Sequence, residues 1–158
     1  MRAITLTQPY ATLVAIGAKR LETRSWRTSY RGPLAIHAAA TFGKGGRRGY
    51  FSRCQYDPFK AALEPHLRVY DRYNCFAAPM GAIIAVCELR DVRIIGDGPC
   101  GDPTIAADDM LTLTPILGDE RAFGDYAAGR YAWLLANVRA LPEPIPAKGA
   151  LSLWEWEG

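Results

Sequence analysis

Lys19, Glu22 and Arg24 place two cations around one carboxylate within six residues, just past Gly17 and just before Trp26. Charges of both signs packed this closely rarely serve a hydrophobic core, because each buried charge needs a partner. Left in water, the same residues form a solvated turn whose Lys–Glu pair has little energetic weight. Shielded from water, they form a site. Glu22 can then accept from an exocyclic amine or a ring N–H, as carboxylates do with cytosine. Trp26 can stack a base while Lys19 and Arg24 hold phosphate or ribose. The pair also suits hydrolysis, with Glu22 as general base toward water and Lys19 stabilising an oxyanion.

Several elements must position these side chains. Residues 2–7 alternate as a strand, with Ile4 and Leu6 on one side. Pro9 suits a first helical position, Tyr10, Leu13 and Val14 fall on one helical face, and Gly17 suits the stop. Lys19 then lies in a turn leading to a strand whose alternation puts Glu22, Arg24 and Trp26 on one face, Leu21 and Thr23 on the other. Arg31-Gly32-Pro33 turns the chain into a strand at 34–39, where His37 shares a face with Ala35 and Ala39. That histidine is either hydrogen-bonded in the core or a ligand contact. Gln8, Arg31 and His37 are the residues expected around the Lys19, Glu22, Arg24 and Trp26 centre.

Further on, Asp57-Pro58 starts a helix that Pro65 breaks or re-starts, and a short helix is predicted near 104–111. Strands are predicted at 82–95, 131–140 and 151–156. Glu88 on the first of these points into a cleft or pairs with Arg90 or Arg93 at the strand end.

The chain has 158 residues, 49% of them hydrophobic, which suits one globular domain rather than disorder. No apolar stretch approaches the ~20 residues that span a bilayer, and Met1–Leu6 lacks a signal-peptide pattern, so a soluble cytoplasmic protein is expected. The cysteines at 54, 75, 87 and 100 form no Cys-x-x-Cys pair. Buried or idle thiols, no metal and no cofactor are therefore expected.

The net charge of +3 conceals an asymmetry. Between 19 and 53 there are nine basic residues against Glu22, a local net of +8. Between 96 and 125 there are seven acidic residues against Arg121, a local net of −6. Two faces of opposite potential are implied. Within a basic insertion at about 43–75, the glycine-rich run 43–50 can cradle phosphate through backbone amides with Lys44, Arg47 and Arg48, and Arg27 adds a further phosphate contact. It lacks the spacing of a nucleotide-binding P-loop. The acidic loop at about 96–125 is long for an inert connection and reads as a lid, or as a flap competing with polyanions.

The segment Gly17-Ala18-Lys19-Arg20-Leu21-Glu22-Thr23-Arg24 reads Gly-x-Lys-x-x-Glu-x-Arg. Leu6-Thr7-Gln8-Pro9-Tyr10 precedes it and Tyr30-Arg31-Gly32-Pro33-Leu34-Ala35-Ile36-His37 follows. With Gly81–Val86, Gly129–Trp133 and Leu151–Trp156, this order resembles the ASCH domain, a branch of the PUA-like superfamily. The resemblance implies an α+β fold, a PUA-like mixed β-barrel with flanking short helices and a cleft. It implies binding of RNA, other nucleic acid or a nucleoside-like small molecule in that cleft. It also implies an alternative: some relatives are amidohydrolases on N-acylated cytidines, and ribonuclease activity occurs in others. In the amidohydrolases a threonine three positions after the motif lysine supplies the nucleophile. Here that position is Glu22, and alternation turns Thr23 to the opposite face, which argues against the covalent route.

Overall fold

In a computed structural model of the chain, residues 1–43, 46, 50, 56–68, 77–106 and 113–158 are described. Strand β1 (Arg2–Leu6) leads into α1 (Tyr10–Ala15), then β2 (Leu21–Arg24) and β3 (Gly32–Ala38). Helix α2 (Asp57–Leu63), β4 (Ala82–Asp97), β5 (Pro103–Ala106), β6 (Leu113–Pro115) and α3 (Gly118–Ala122) follow. The chain ends with β7 (Tyr131–Pro146) and β8 (Leu153–Glu155). The expected helix near 104–111 is corrected over its described part: Thr104, Ile105 and Ala106 are strand, antiparallel to both β4 and β6. The β-branched Thr104 and Ile105 suit that pairing.

The fold is α+β, with one mixed eight-stranded sheet in the order β2-β7-β4-β3-β1-β8, and β5 and β6 extending from β4. The expected mixed β-barrel is corrected: among the described residues the sheet is not closed, but an open path ending at β2 and β8. The reason lies at β1. Its outer edge is occupied over Arg2–Ile4 by β8, which keeps β2 from that edge. One side chain crosses the gap instead, as Arg24 Nη2 of β2 donates to the Thr5 carbonyl of β1 at 2.9 Å.

The curled sheet and α1 enclose the main core, which includes Ile4, Leu6, Val14, Ile36, Leu89 and Trp133. Helix α1 is buried on two sides rather than one. Ala11 and Val14 face that core, whereas Leu13 and Tyr10 join Tyr50, Phe59, Leu63 and Phe123. Gly17 ends the helix at φ +78°, as its position implied. Cys87 is buried in the main core, which pushes its thiol up to about 12. No helix among the described residues is long and apolar enough to cross a membrane.

Candidate functional site

Lys19 is 1% exposed, an unusual state for an ammonium group. The turn after α1 directs it inward, and its Nζ donates to the Leu21 carbonyl of β2 and to the Tyr126 hydroxyl at 3.4 Å. Glu22 Oε2 lies 3.8 Å from Nζ, and Glu22 Oε1 lies 3.1 Å from Arg24 Nε. The Arg24 contact is ionic only, since that Nε makes no hydrogen bond. Glu22 thus stands between two cations, as strand alternation implied.

A second carboxylate completes the group. Glu120, on α3, accepts from the backbone N–H groups of Arg20 (2.8 Å) and Leu21 (3.2 Å). It also accepts from the Tyr126 hydroxyl at 2.8 Å. Burial lowers the Lys19 pKa from its usual value; Glu22 and Glu120 oppose that shift, and Arg24 reinforces it. The Tyr126 phenol is raised, first by burial and then by Glu120. A lysine so placed gives up its proton more readily than one on the surface.

The cavity beside it has a volume of about 190 Å³ and is lined by Tyr10, Lys19, Glu22, Thr23, Phe123, Gly124 and Asp125. Thr23 reaches it although alternation puts Thr23 on the other face from Glu22. Strand β2 is an edge strand, so a cavity at its rim receives residues from both faces.

The sequence profile of the ASCH domain matches residues 4–144. The chain belongs to the ASCH-domain family. No curated protein matches this sequence.

Within this ASCH chain the structure brings together Lys19, Glu22 and Arg24. Trp26 follows them and packs edge-on against Trp133, ring centroids 4.8 Å apart, half-buried at the margin of the core. Gln8 and His37 are committed elsewhere. Gln8 is fully buried, donates to the Pro79 carbonyl (2.7 Å) and accepts from the N–H and hydroxyl of Thr12, which tethers the start of α1. His37 bridges Thr5 Oγ1 (3.2 Å) and the Ala147 carbonyl (3.0 Å), as a hydrogen-bonded core histidine does.

Arg31 lies with Arg27 at a separate cavity. Its Nη2 donates to Asp91 Oδ1 at 2.9 Å, and Arg93 Nε donates to Asp91 Oδ2 at 2.8 Å. Burial pushes the Asp91 carboxyl up, but hydrogen bonds from Arg93, the Val92 N–H and Arg31 outweigh it and hold it below the usual carboxylate range. Lys44, Arg47 and Arg48, expected to cradle phosphate, lie outside the described residues, as do Asp108 and Asp109. Glu88 is exposed and accepts from Asn137 Nδ2 at 3.0 Å rather than facing the Lys19 cavity. Among the described residues no group of three His, Cys, Asp or Glu side chains gathers as metal ligands would.

Sequence reasoning missed Glu120 and Tyr126. Their acidic, glycine-rich surroundings were visible, but nothing local shows that a segment about a hundred residues later docks on the motif strand.

Proposed function

We propose that this ASCH domain binds single-stranded RNA, with one nucleobase entering the cavity at Lys19. A PUA-like nucleic-acid role is what the family supports. The observation that carries the reading is a fully buried Lys19, ion-paired with Glu22 and linked to Glu120 through the Tyr126 hydroxyl, in the wall of a cavity. Structural ion pairs at such depth are commonly no better than apolar packing, so their presence at a cavity argues for recognition. The volume falls below the ~300 Å³ at which sites for whole drug-sized ligands begin, which suits one ring with the rest of the ligand outside. Glu22 supplies an acceptor for a base N–H and Lys19 a donor for a ring nitrogen or carbonyl. Arg24, beside them, supplies charge toward the backbone.

Equilibrium binding of labelled single-stranded RNA at two salt concentrations tests this, with the recovered strand checked for cleavage. Lys19→Met keeps the apolar stem and removes one charge-assisted donor. Affinity should fall roughly ten- to hundred-fold, the equivalent of ~1.5–3 kcal/mol. Unchanged affinity in both Lys19→Met and Glu22→Gln would sink the assignment.

A second reading, hydrolysis of an N-acylated cytidine-type nucleoside or of RNA, draws support from one observation. Thr23 and Lys19 line the same cavity despite strand alternation, so a residue with a hydroxyl and one with a desolvated amine stand at one site. Turnover of acylated cytidines that Thr23→Val abolishes would favour this reading over binding alone.

A further inference from the structure

The cavity that holds Arg27 and Arg31 is about 570 Å³, three times the volume of the one at Lys19 and within the ordinary range of ligand sites. Its walls are apolar and uncovered. Ile94 is 60% exposed and Leu113 54% exposed, and the ring of Tyr131 stands between the core and the opening. Its rim is cationic. Arg31 and Arg93 are locked in place by Asp91, whose carboxylate is thereby committed to both. Arg27 is exposed and makes no ion pair or hydrogen bond among the described residues. Asp97, at the solvent side, is the other carboxylate of the lining. An aromatic or apolar surface beside an uncommitted guanidinium suits a flat ring carrying a phosphate.

The position of this cavity relative to Lys19 follows from strand register. Glu22 pairs with Trp133 and Arg24 pairs with Tyr131 across β2 and β7. Residues two apart on a strand share a face and are about 7 Å apart. Glu22, which lines the Lys19 cavity, and Tyr131, which lines this one, are therefore diagonal neighbours on one face of the β2–β7 pair, with Arg24 directly opposite Tyr131. One sugar–phosphate unit bridges such a distance.

We infer that the Tyr131 cavity takes the nucleotide adjacent to the one at Lys19, its base against Tyr131 and Ile94 and its phosphate on Arg27. The inference rests on the RNA-binding reading above and deepens it. The protein then recognises a strand of at least two nucleotides rather than a free nucleoside.

The experiment compares nucleoside 5′-monophosphates with random-sequence hexanucleotide RNA on wild type, Arg27→Gln, Arg27→Lys and Lys19→Met. Arg27 is exposed, so its substitution leaves the fold intact. Expected for Arg27→Gln is a loss of hexanucleotide affinity of about ten-fold and a salt slope shallower by about one, and wild type should bind the hexanucleotide more tightly than any monophosphate. Arg27→Lys should retain most of the affinity. A 4-thiouridine-substituted hexanucleotide should crosslink on irradiation to peptides containing Ile94 or Tyr131.

An unchanged affinity and salt slope in Arg27→Gln, while Lys19→Met weakens binding, would overturn the second subsite and leave the Lys19 reading standing. Crosslinks that avoid both peptides would do the same. No hexanucleotide binding by wild type, or binding indifferent to Lys19→Met, would remove both readings.

Discussion

Lys19 is the residue on which the site turns, and its burial has a measurable signature. Its folded-state pKa lies below the unfolded value of 10.5, because desolvation outweighs the attraction of Glu22 and Glu120. Between those two values the unfolded chain binds more protons than the folded one, so stability from this group rises with pH across that window. Wild type should therefore gain stability relative to Lys19→Met as pH climbs toward 10.5, read as the difference in Tm between the two proteins. A difference flat in pH would mean that Lys19 is solvated. The sequence made Lys19, Glu22 and Arg24 legible because their relation is local, a matter of one turn and one alternating strand. Gln8 and His37 were ambiguous because residue type alone does not reveal whether a polar side chain is already satisfied. Their partners, Pro79 and Ala147, are distant in the chain.

At the scale of elements, the two long strands β4 and β7 carry the architecture, and both are irregular where they bend. Their register shifts between Ile83 and Ala85, between Val86 and Glu88 and between Leu89 and Asp91. Periodicity located both strands but could not show such bulges, since an extra residue in a ladder leaves no local pattern. Beyond its short pairing with β2, the outer edge of β7 has no strand against it among the described residues. Pro142, Pro144 and Pro146 fall in this stretch. The Ala147 N–H points to the Gly81 carbonyl, so the nitrogen of Pro146 faces the open side, where a proline withholds a donor from any incoming strand. Replacing all three prolines with threonine should give concentration-dependent self-association, visible as a larger species in sedimentation velocity. A variant that stays at the wild-type sedimentation coefficient over the same concentrations would show that the edge needs no such protection.

Across the whole molecule, the basic and acidic segments that the sequence suggested as two faces meet, and one of their contacts is the pair of bonds by which Glu120 caps the two N–H groups that open β2. Charge counting could anticipate attraction between these segments but not which carboxylate makes it. The ends of the described chain meet as well. Strand β8 lies beyond residue 144, where the ASCH profile match stops, yet it pairs with β1. It brings Trp154 and Trp156 over Ala3, Ala35 and Ile83. Thr5 donates to the Ala150 carbonyl and accepts from Trp154 Nε1 at 3.2 Å, beside a His37 that is 1% exposed. Gly149 passes so close that a Cβ there would stand 2.4 Å from His37 Cε1. A chain ended at Pro146 would strip these partners from Thr5 and His37 while uncovering the apolar patch, a combined loss of several kcal/mol. Gly149→Ala is the gentler probe, with an overpacking cost of about 1–3 kcal/mol. Urea denaturation should order the three proteins as wild type, Gly149→Ala, then the truncated chain, with the midpoint falling at each step. A truncated chain as stable as wild type would mean that β8 is an appendage, and that the fold is complete within the residues the profile matches.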